Sequence, residues 1–335
     1  MGADDQPPLA RDRRSLSLVV PVFNEEAVLP EFYRRVVAVL ERTADDWELV
    51  FVNDGSSDAS LAILQGLHAR DPRVAVIDFA RNFGKEAAMT AGFELAAGEL
   101  VGIIDADLQD PPELIPQLLA RLAEGFDVAY ARRRIRRGET WLKRATAGAF
   151  YQLMQRMSRV RIPTDTGDFR VMNRDAVAAL LRLPERHRFM KGLFAWIGFR
   201  QAEVLYDRAP RQGGQSKFGY WRLWNFALEG ITSFSSAPLK IATYVGLLIA
   251  LMAFSFATVI VFRTLRYGNP VAGYPSLITV VLFIGGVQLV AIGLLGEYIA
   301  RIYDEVKARP LYLTKFVASS TLQRAGAAPD EGTDA

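Results

Sequence analysis

Between Lys240 and Arg263 stand 22 consecutive residues without a charge, IATYVGLLIALMAFSFATVIVF, and a second uncharged run, SLITVVLFIGGVQLVAIGLLG, extends from Ser276 to Gly296. A helix needs about 20 predominantly apolar residues to cross the hydrocarbon of a bilayer. The runs therefore predict two transmembrane helices, over 239–263 and 275–298. Two crossings return the chain to the side it left. The long polar region before them and the tail with Arg301, Lys307 and Arg309 then share a side, and the weight of Lys and Arg there marks it as cytoplasmic. Arg263 and Arg266, in the short connection, oppose this weakly. The expectation is a multi-pass protein of the inner (cytoplasmic) membrane.

Directly ahead of the first run, FGYWRLWNFALEGITSFSSAPL sets Phe218, Trp221, Trp224, Leu228 and Ile231 at helical spacing, with Arg222, Asn225 and Glu229 between them. A tryptophan-rich amphipathic helix over 218–238, lying in the membrane interface, is expected; an ordinary core helix is the other reading. Residues 1–14 have no apolar core for a signal peptide, and Gln6 breaks the myristoylation pattern. They read as a disordered cytosolic leader. Residues 299–318 read as a cytoplasmic juxtamembrane segment, and 319–335, ending AAPDEGTDA, as a disordered tail.

Over 15–217 the pattern differs. The runs SLSLVVPVF, WELVFVND, VAVIDF, LVGIIDAD, DVAYA and FRVMN alternate with helix-period segments such as Glu26 to Arg42, Ala59 to Ala69, Lys85 to Ala97 and Glu113 to Glu124. This alternation predicts an α/β domain with a mainly parallel sheet and helices on both faces. Ligands of such sheets bind beyond the carboxyl ends of the strands. Standing there are Asn24 and Glu25, Asn53 and Asp54, and Asp105 and Asp107. Neither a Walker A sequence nor GxGxxG is present, so phosphates must be held by a cation or by arginines. The absence of cysteine excludes disulfides, thiolate nucleophiles and Cys-ligated zinc. The two histidines, His68 and His187, lack metal-ligand spacing, and a net charge of +3 gives no case for nucleic acid as a partner.

Asp105 and Asp107 lie where a buried strand breaks into a loop, so both can converge on one hard cation and leave positions open for substrate oxygens. Mg2+ is held in this way, by one or two carboxylates plus phosphates. Asp110 suits a turn or cap before the helix that Pro111 and Pro112 open. In VNDGSSD, Ser57 or Asp58 caps the next helix, which leaves Asn53 and Asp54 free to face the cleft. An aspartate there can accept from the N–H groups of a base. Basic residues follow in two clusters, Arg132, Arg133, Arg134, Arg136, Arg137, Lys143 and Arg144, then Arg208, Arg211 and Lys217. Arginine forks suit phosphate oxygens; a solvated or headgroup-facing surface is the alternative. Between the clusters, Asp168 and Arg170 flank a strand start, where a buried ion pair is also open to them.

PVFNEE, VNDGSSD, NFGKEAAMTAG, DADLQDPPE, TGDFR and RQGGQSKF occur here in the order found in family 2 glycosyltransferases. More narrowly, the chain resembles the membrane-bound polyprenyl-phosphate glycosyltransferases, the bactoprenol glucosyltransferase and dolichyl-phosphate mannose synthase group, from Ser17 to Leu313. The resemblance implies a GT-A, Rossmann-like fold and inverting transfer of one sugar from a nucleotide sugar to a polyprenyl phosphate, with Mg2+ or Mn2+ as cofactor. By motif, Pro21, Phe23, Glu25 and Asp54 hold the nucleoside, with Lys85 nearby. Asp105 and Asp107 bind the metal with Gln109 close by, and Asp105, Asp107 and Asp168 carry the catalysis. Arg133, Arg144 and Arg170 bind the acceptor phosphate; Arg208, Arg211 and Lys217 close over the diphosphate. The choice among Arg132, Arg133 and Arg134 stays open by one position. A homo-oligomer, a tetramer, is also implied.

HRFMKGLFAWIGFRQ and DTGDFR look closer to the bactoprenol glucosyltransferases than to the mannose synthases, so UDP-glucose is the expected donor. UDP-N-acetylglucosamine, UDP-galactose and GDP-mannose are the alternatives. Processive polysaccharide synthases share the strand-end acids but resemble one another in a Gln-x-x-Arg-Trp motif that this chain lacks. A non-catalytic nucleotide-sugar-binding membrane protein is the remaining reading.

Overall fold

Each apolar run of the N-terminal region becomes a strand, and the central ones are buried on both faces. A computed structural model describes residues 14–134, 166–206, 237–267 and 273–326. These belong to two units, one of 1–151, 160–218 and 310–335 and one of 152–159 and 219–309. The first is built on β1 (Leu16–Val22), β2 (Trp47–Asn53), β3 (Val74–Phe79), β4 (Leu100–Ile103), β5 (Val128–Arg133), β6 (Thr166–Asn173), β7 (Gln201–Tyr206) and β8 (Thr314–Ala318). They form one sheet in the order β7-β5-β6-β4-β1-β2-β3-β8. Every residue of β2 and β3 is buried, which is why these strands read as continuous apolar runs rather than alternating ones.

The sheet is mainly parallel, as expected, but mixed: every strand except β6 and β8 runs in one direction, β5 and β7 being parallel to each other. β4, β1, β2 and β3 are mutually parallel, but β6 is antiparallel to both β4 and β5, and β8 to β3. An apolar run records burial on two faces and not the direction in which the strand is inserted. Helices cover the sheet by apolar stripes. α1 (Leu29–Thr43) buries Leu29, Phe32, Val36 and Leu40, and α4 (Ile115–Ala123) buries Ile115, Leu118, Leu119 and Leu122, each at helical spacing. Between these in sequence come α2 (Ser60–Arg70) and α3 (Lys85–Leu95). α3 packs against β1 at a glycine: a Cβ on Gly92 would stand 2.1 Å from Val19 Cγ1. α5 (Arg174–Leu181) and α6 (Met190–Trp196) follow β6.

The chain after the helical unit returns to this sheet. β8 adds to the free edge of β3, the Tyr312 ring stacks on Phe79 with centroids 4.8 Å apart, and α9 (Thr321–Gly326) follows. The Ser320 hydroxyl bonds Glu48, a fully buried carboxylate that also accepts from Ser17 Oγ at 2.5 Å and the Ala97 N–H at 2.8 Å. Residues 319–326 are thus ordered, against the expectation of a disordered tail, because their polar groups satisfy a buried acid that composition alone does not reveal.

The second unit contributes two long helices, α7 (Ala237–Tyr267) and α8 (Tyr274–Lys307), of 31 and 34 residues. At about 1.5 Å per residue both exceed the roughly 30 Å of bilayer hydrocarbon. Among the described residues, Phe283–Lys307 is long and apolar enough to cross a membrane by length and composition. The leader to residue 13 and the expected interfacial helix up to residue 236 lie outside the described residues.

Candidate active site

The loops after β1 and β2 are laced together by reciprocal side-chain bonds. Asn24 Oδ1 accepts from the Ser57 N–H at 2.8 Å while Ser56 Oγ accepts from the Asn24 N–H at 3.0 Å. One residue on, Ser60 Oγ accepts from the Glu25 N–H at 2.9 Å, and Glu26 and Asp58 exchange bonds with each other's loops. Asp58 also accepts from the Ser60 N–H at 3.0 Å, but the cap position of α2 is Ala59, one residue beyond the expected Ser57 or Asp58, and it carries no side-chain cap bond. Asn24 takes a left-handed φ of 57°, which asparagine tolerates better than most residues. The motifs PVFNEE and VNDGSSD are therefore one structure.

That structure forms one wall of an open cleft of about 210 Å3 at the carboxyl ends of β1, β2 and β4. Pro21, Phe23 and Glu25 line it from β1, Asp54 from β2, Asp105 and Asp107 from the loop after β4, and Lys85 from the start of α3. All seven were expected at the site. Asn53 was expected to face it too and does not: it is buried, and its Nδ2 donates to Asp78 Oδ1 at 2.7 Å. Consecutive strand residues point to opposite faces, so only one of Asn53 and Asp54 can reach the cleft.

Asp54 grips the loop that leads into α3. Its Oδ1 accepts from the Phe83 N–H at 2.7 Å and its Oδ2 from the Gly84 N–H at 3.0 Å. Burial pushes its pKa up, against the pull of those two N–H groups and of Arg81. Next to it, Gly55 has φ 66° and passes so close to Arg81 that a Cβ would sit 2.5 Å from a backbone carbon; only glycine fits.

At the centre, Lys85 Nζ lies 2.5 Å from Asp105 Oδ1 and 2.5 Å from Asp168 Oδ2. Burial works against the ammonium, but the two carboxylates outweigh it and raise its pKa. The two acids differ. Burial holds Asp105 above the ordinary aspartate value, aided by Asp168 and Asp107. At Asp168 burial is overcome by Lys85, Lys191 and Arg170, and its pKa falls. Asp107 accepts from the Gln109 N–H at 3.1 Å across Leu108, whose φ of 56° is left-handed. Such strain in a non-glycine residue is found where a site dictates the backbone.

On the far side of Asp168, Arg133 Nε donates to Tyr206 Oη at 3.2 Å and its Nη2 lies 3.7 Å from Asp110 Oδ1, while Tyr206 donates to Asp110. Of the three consecutive arginines, Arg133 takes part in this network, Arg132 pairs with Glu203 at 2.7 Å, and the Arg134 N–H donates to the Tyr206 carbonyl at 2.9 Å. Asp110 is a buried acceptor in this network, not the cap of the following turn, where no side-chain cap forms. Arg170 also departs from expectation. It is 4% exposed, donates to the carbonyls of Asp168 and Gly167 at 3.1 Å each, and lies 3.6 Å over the Phe194 ring. Burial lowers its pKa to about 10. It props the strand that carries Asp168. Lys191, at the start of α6, was not foreseen; a single lysine inside the apolar FMKGLF was the available signal. Arg144, Arg208, Arg211 and Lys217 lie outside the described residues.

Among the described residues, no three His, Cys, Asp or Glu side chains gather as a metal cage. Asp105 and Asp107 fit the partial oxygen shell of a cation that takes its other ligands from a diphosphate.

Residues 17–181 match the model of glycosyl transferase family 2, and 237–302 that of the GtrB C-terminal hairpin. A bactoprenol glucosyl transferase of Shigella phage SfII is 50% identical over 90% of this chain and 97% of its own. A prophage bactoprenol glucosyl transferase homolog of Escherichia coli K12 is 48% identical over 90% and 99%. An uncharacterized glycosyltransferase of Synechocystis is 51% identical over 89% and 94%. Among solved structures, glucosyl-3-phosphoglycerate synthase from Mycobacterium tuberculosis is 19% identical, with a TM-score of 0.46 over 65% of this chain and 76% of that one. A mixed α/β sheet with its acids and lysine at one edge, motifs in family order and relatives matched over nearly their whole length agree: the chain is a glycosyltransferase and belongs to family 2.

Proposed function

We propose that this enzyme transfers a single glucose from UDP-glucose to undecaprenyl or a related polyprenyl phosphate at the cytoplasmic face of the membrane, with inversion at the anomeric carbon. The product is a lipid-linked sugar available for modification of cell-envelope glycans. The observation that carries this reading is the cleft in which Pro21, Phe23, Glu25, Asp54, Lys85, Asp105 and Asp107 converge beside Asp168, in a chain half identical to bactoprenol glucosyl transferases. α7 and α8 cross the bilayer and hold the domain where a lipid phosphate can reach it, and homo-oligomers form through this hairpin.

Phe23 and Glu25 flank the nucleoside, with Asp54 beneath it. Asp105 and Asp107, with Gln109 adjacent, hold Mg2+ or Mn2+; when bound, the cation offsets the negative charge that grows on the departing diphosphate. Lys85 favours the charged forms of Asp105 and Asp168 against their burial and aligns both before the donor arrives. The nucleophile is an oxygen of the acceptor phosphate, which attacks the anomeric carbon as the bond from that carbon to the diphosphate oxygen breaks. A phosphate monoester with a second pKa near 6 is already largely a dianion at neutral pH, so no strong general base is required. Among the described residues, none lining the cleft is a histidine, in keeping with that chemistry. Alignment and charge stabilisation then supply the rate.

The test is to supply radiolabelled UDP-glucose, undecaprenyl phosphate and Mn2+ to the full chain in membranes and look for a one-sugar lipid. A wild type that makes none refutes the reaction, and Asp105→Asn with wild-type output refutes the role of the acid pair. Competition by unlabelled UDP-galactose, UDP-N-acetylglucosamine or GDP-mannose more effective than by UDP-glucose would refute the sugar.

A further inference from the structure

Lys85 satisfies two carboxylates, yet a second lysine beside it has none of its own. Lys191 is the second residue of α6, and the helix that carries it is fixed in place. Met190 and Phe194 are buried, the Phe93 ring meets Phe194 edge-on at 6.3 Å, and the Phe194 carbonyl accepts from Gln201 Nε2 at 2.7 Å. Residues three apart share a helix face. Lys191 therefore lies on the side where Phe194 carries Arg170, against the start of β6. Four charged groups act on its ammonium: Asp168, Lys85, Arg170 and Arg133. Asp168 alone among them is an anion, and its Oδ2 is already 2.5 Å from Lys85. No hydrogen bond or ion pair to Lys191 is present among the described residues. Burial, and then the three neighbouring cations, lower its pKa.

A half-buried cation facing other cations is costly unless an anion completes the set. The order of the strands says which anion. Donor-side residues stand on β2, β1 and the loop after β4, whereas Asp168 is on β6 and Arg133 at the end of β5, one strand further out. Lys191 is acted on by Asp168 and Lys85 ahead of Arg170 and Arg133, and its helix packs over Arg170 of β6 through Phe194. We propose that Lys191, with Arg133, contacts the phosphate monoester of the lipid acceptor and holds it beside Asp168. The assignment rests on the transfer reaction proposed above. It gives that phosphate two cations on the side away from the nucleotide and replaces Arg170, whose guanidinium is committed to backbone carbonyls.

The test uses the full chain in detergent or membranes with Lys191→Met and Lys191→Arg. Lys191→Met is expected to raise the KM for undecaprenyl phosphate at least about tenfold, as loss of a charge-assisted hydrogen bond to a phosphate does. The KM for UDP-glucose should stay within about twofold, and Lys191→Arg should recover most of the acceptor affinity. An unchanged acceptor KM, or an equal rise in both KM values, overturns the assignment. A second measurement needs no variant to fold: acylation of wild-type lysines read by mass spectrometry, where undecaprenyl phosphate should shield Lys191 and UDP-glucose should not. Shielding by UDP-glucose alone places the lysine on the diphosphate and also overturns it. If wild type glucosylates the lipid and Lys191→Met keeps its acceptor KM, only the lysine falls. If wild type makes no lipid product, the reaction itself falls.

Discussion

Replacing Asp54 by alanine separates two roles that one carboxylate can play, reading the base and holding the loop before α3. The substitution removes the acceptor for the Phe83 and Gly84 N–H groups, now at 2.7 and 3.0 Å. Hydrogen bonds to a charged group contribute about 1.5–3 kcal/mol each. The burial that raises the Asp54 pKa offsets part of this, leaving a net of about 2–3 kcal/mol for loop order. Lys85 follows Gly84 directly, so disorder in the loop carries the ammonium away from Asp105 and Asp168. If the donor binds only the ordered loop, its affinity falls by up to about 30- to 150-fold, since each 1.4 kcal/mol is a factor of ten. Asp54→Asn, which keeps one oxygen but turns an NH2 toward the second N–H, should lose an intermediate amount. Titration calorimetry with UDP, UDP-glucose and GDP gives the affinities, and amide exchange at Phe83 and Gly84 reports the loop. Loop anchoring predicts faster exchange at both amides and a loss shared by all three ligands. Wild-type protection of those amides together with a loss confined to the uridine ligands would refute it.

Other substitutions probe the frame behind the site. Gly92→Ala drives a methyl into Val19, 2.1 Å away, and should cost about 1–3 kcal/mol by overpacking; a lowered Tm with a raised UDP-glucose KM is expected, because α3 carries Lys85. Glu48→Ala strands three donors from Ser17, Ala97 and Ser320. A loss of about 3 kcal/mol or more, read from the denaturant midpoint, should come with early proteolysis within 314–326. Asp71 accepts from the Arg73 guanidinium and from Tyr33 Oη at 2.8 Å, and these outweigh burial to lower its pKa. A depressed folded pKa gives stability that is present above the unfolded value near 3.9 and is lost as pH falls through the folded one. Asp71→Asn should flatten that acid limb and cost about 1 kcal/mol at pH 7, discounted for the solvent exposure of Arg73; a limb as steep as wild type's would show that other acids set it.

The strands at the centre were legible because burial on both faces leaves only apolar residues to write them. The edges were not. β7, QAEVLY, alternates exposed and buried positions and is short, and β8, TKFVA, comes after the long helices with a lysine in it, so neither resembles the central runs. The cleft was legible from its polar residues, since an acid at the end of a buried strand has few structural uses. Orientation was less so. VND offers two polar residues, and the pleat sends one of them to the core, where Asn53 meets Asp78. Asp168 and Arg170 share a face by their spacing of two, but α6 lies over it and supplies Phe194, which no local pattern near residue 170 discloses. Lys191 was hidden by the same fact: its meaning depends on which strand α6 covers.

The reversed direction of β6 has a chemical consequence. A wholly parallel sheet presents only the carboxyl ends of its strands at the ligand edge. Asp168 stands near the amino end of β6 and reaches that edge because the strand runs against β4, with Arg170 opposite Ile103 and Asn173 opposite Leu100. Inserted in parallel at the same place, β6 would carry Asp168 to the present position of Val171, about 10 Å away at about 3.3 Å per residue, and Lys85 could not bridge the two acids. β5 is antiparallel to β6, so its carboxyl end returns to the ligand edge and brings Arg133 with it. One antiparallel insertion therefore brings an acid and a cation to the flank of the donor site, from segments that sequence alone places more than thirty residues apart. A donor cleft needs only the parallel strands. Under the transfer proposed above, the reversal places β5, β6 and α6 on the side of the site where the acceptor phosphate would enter.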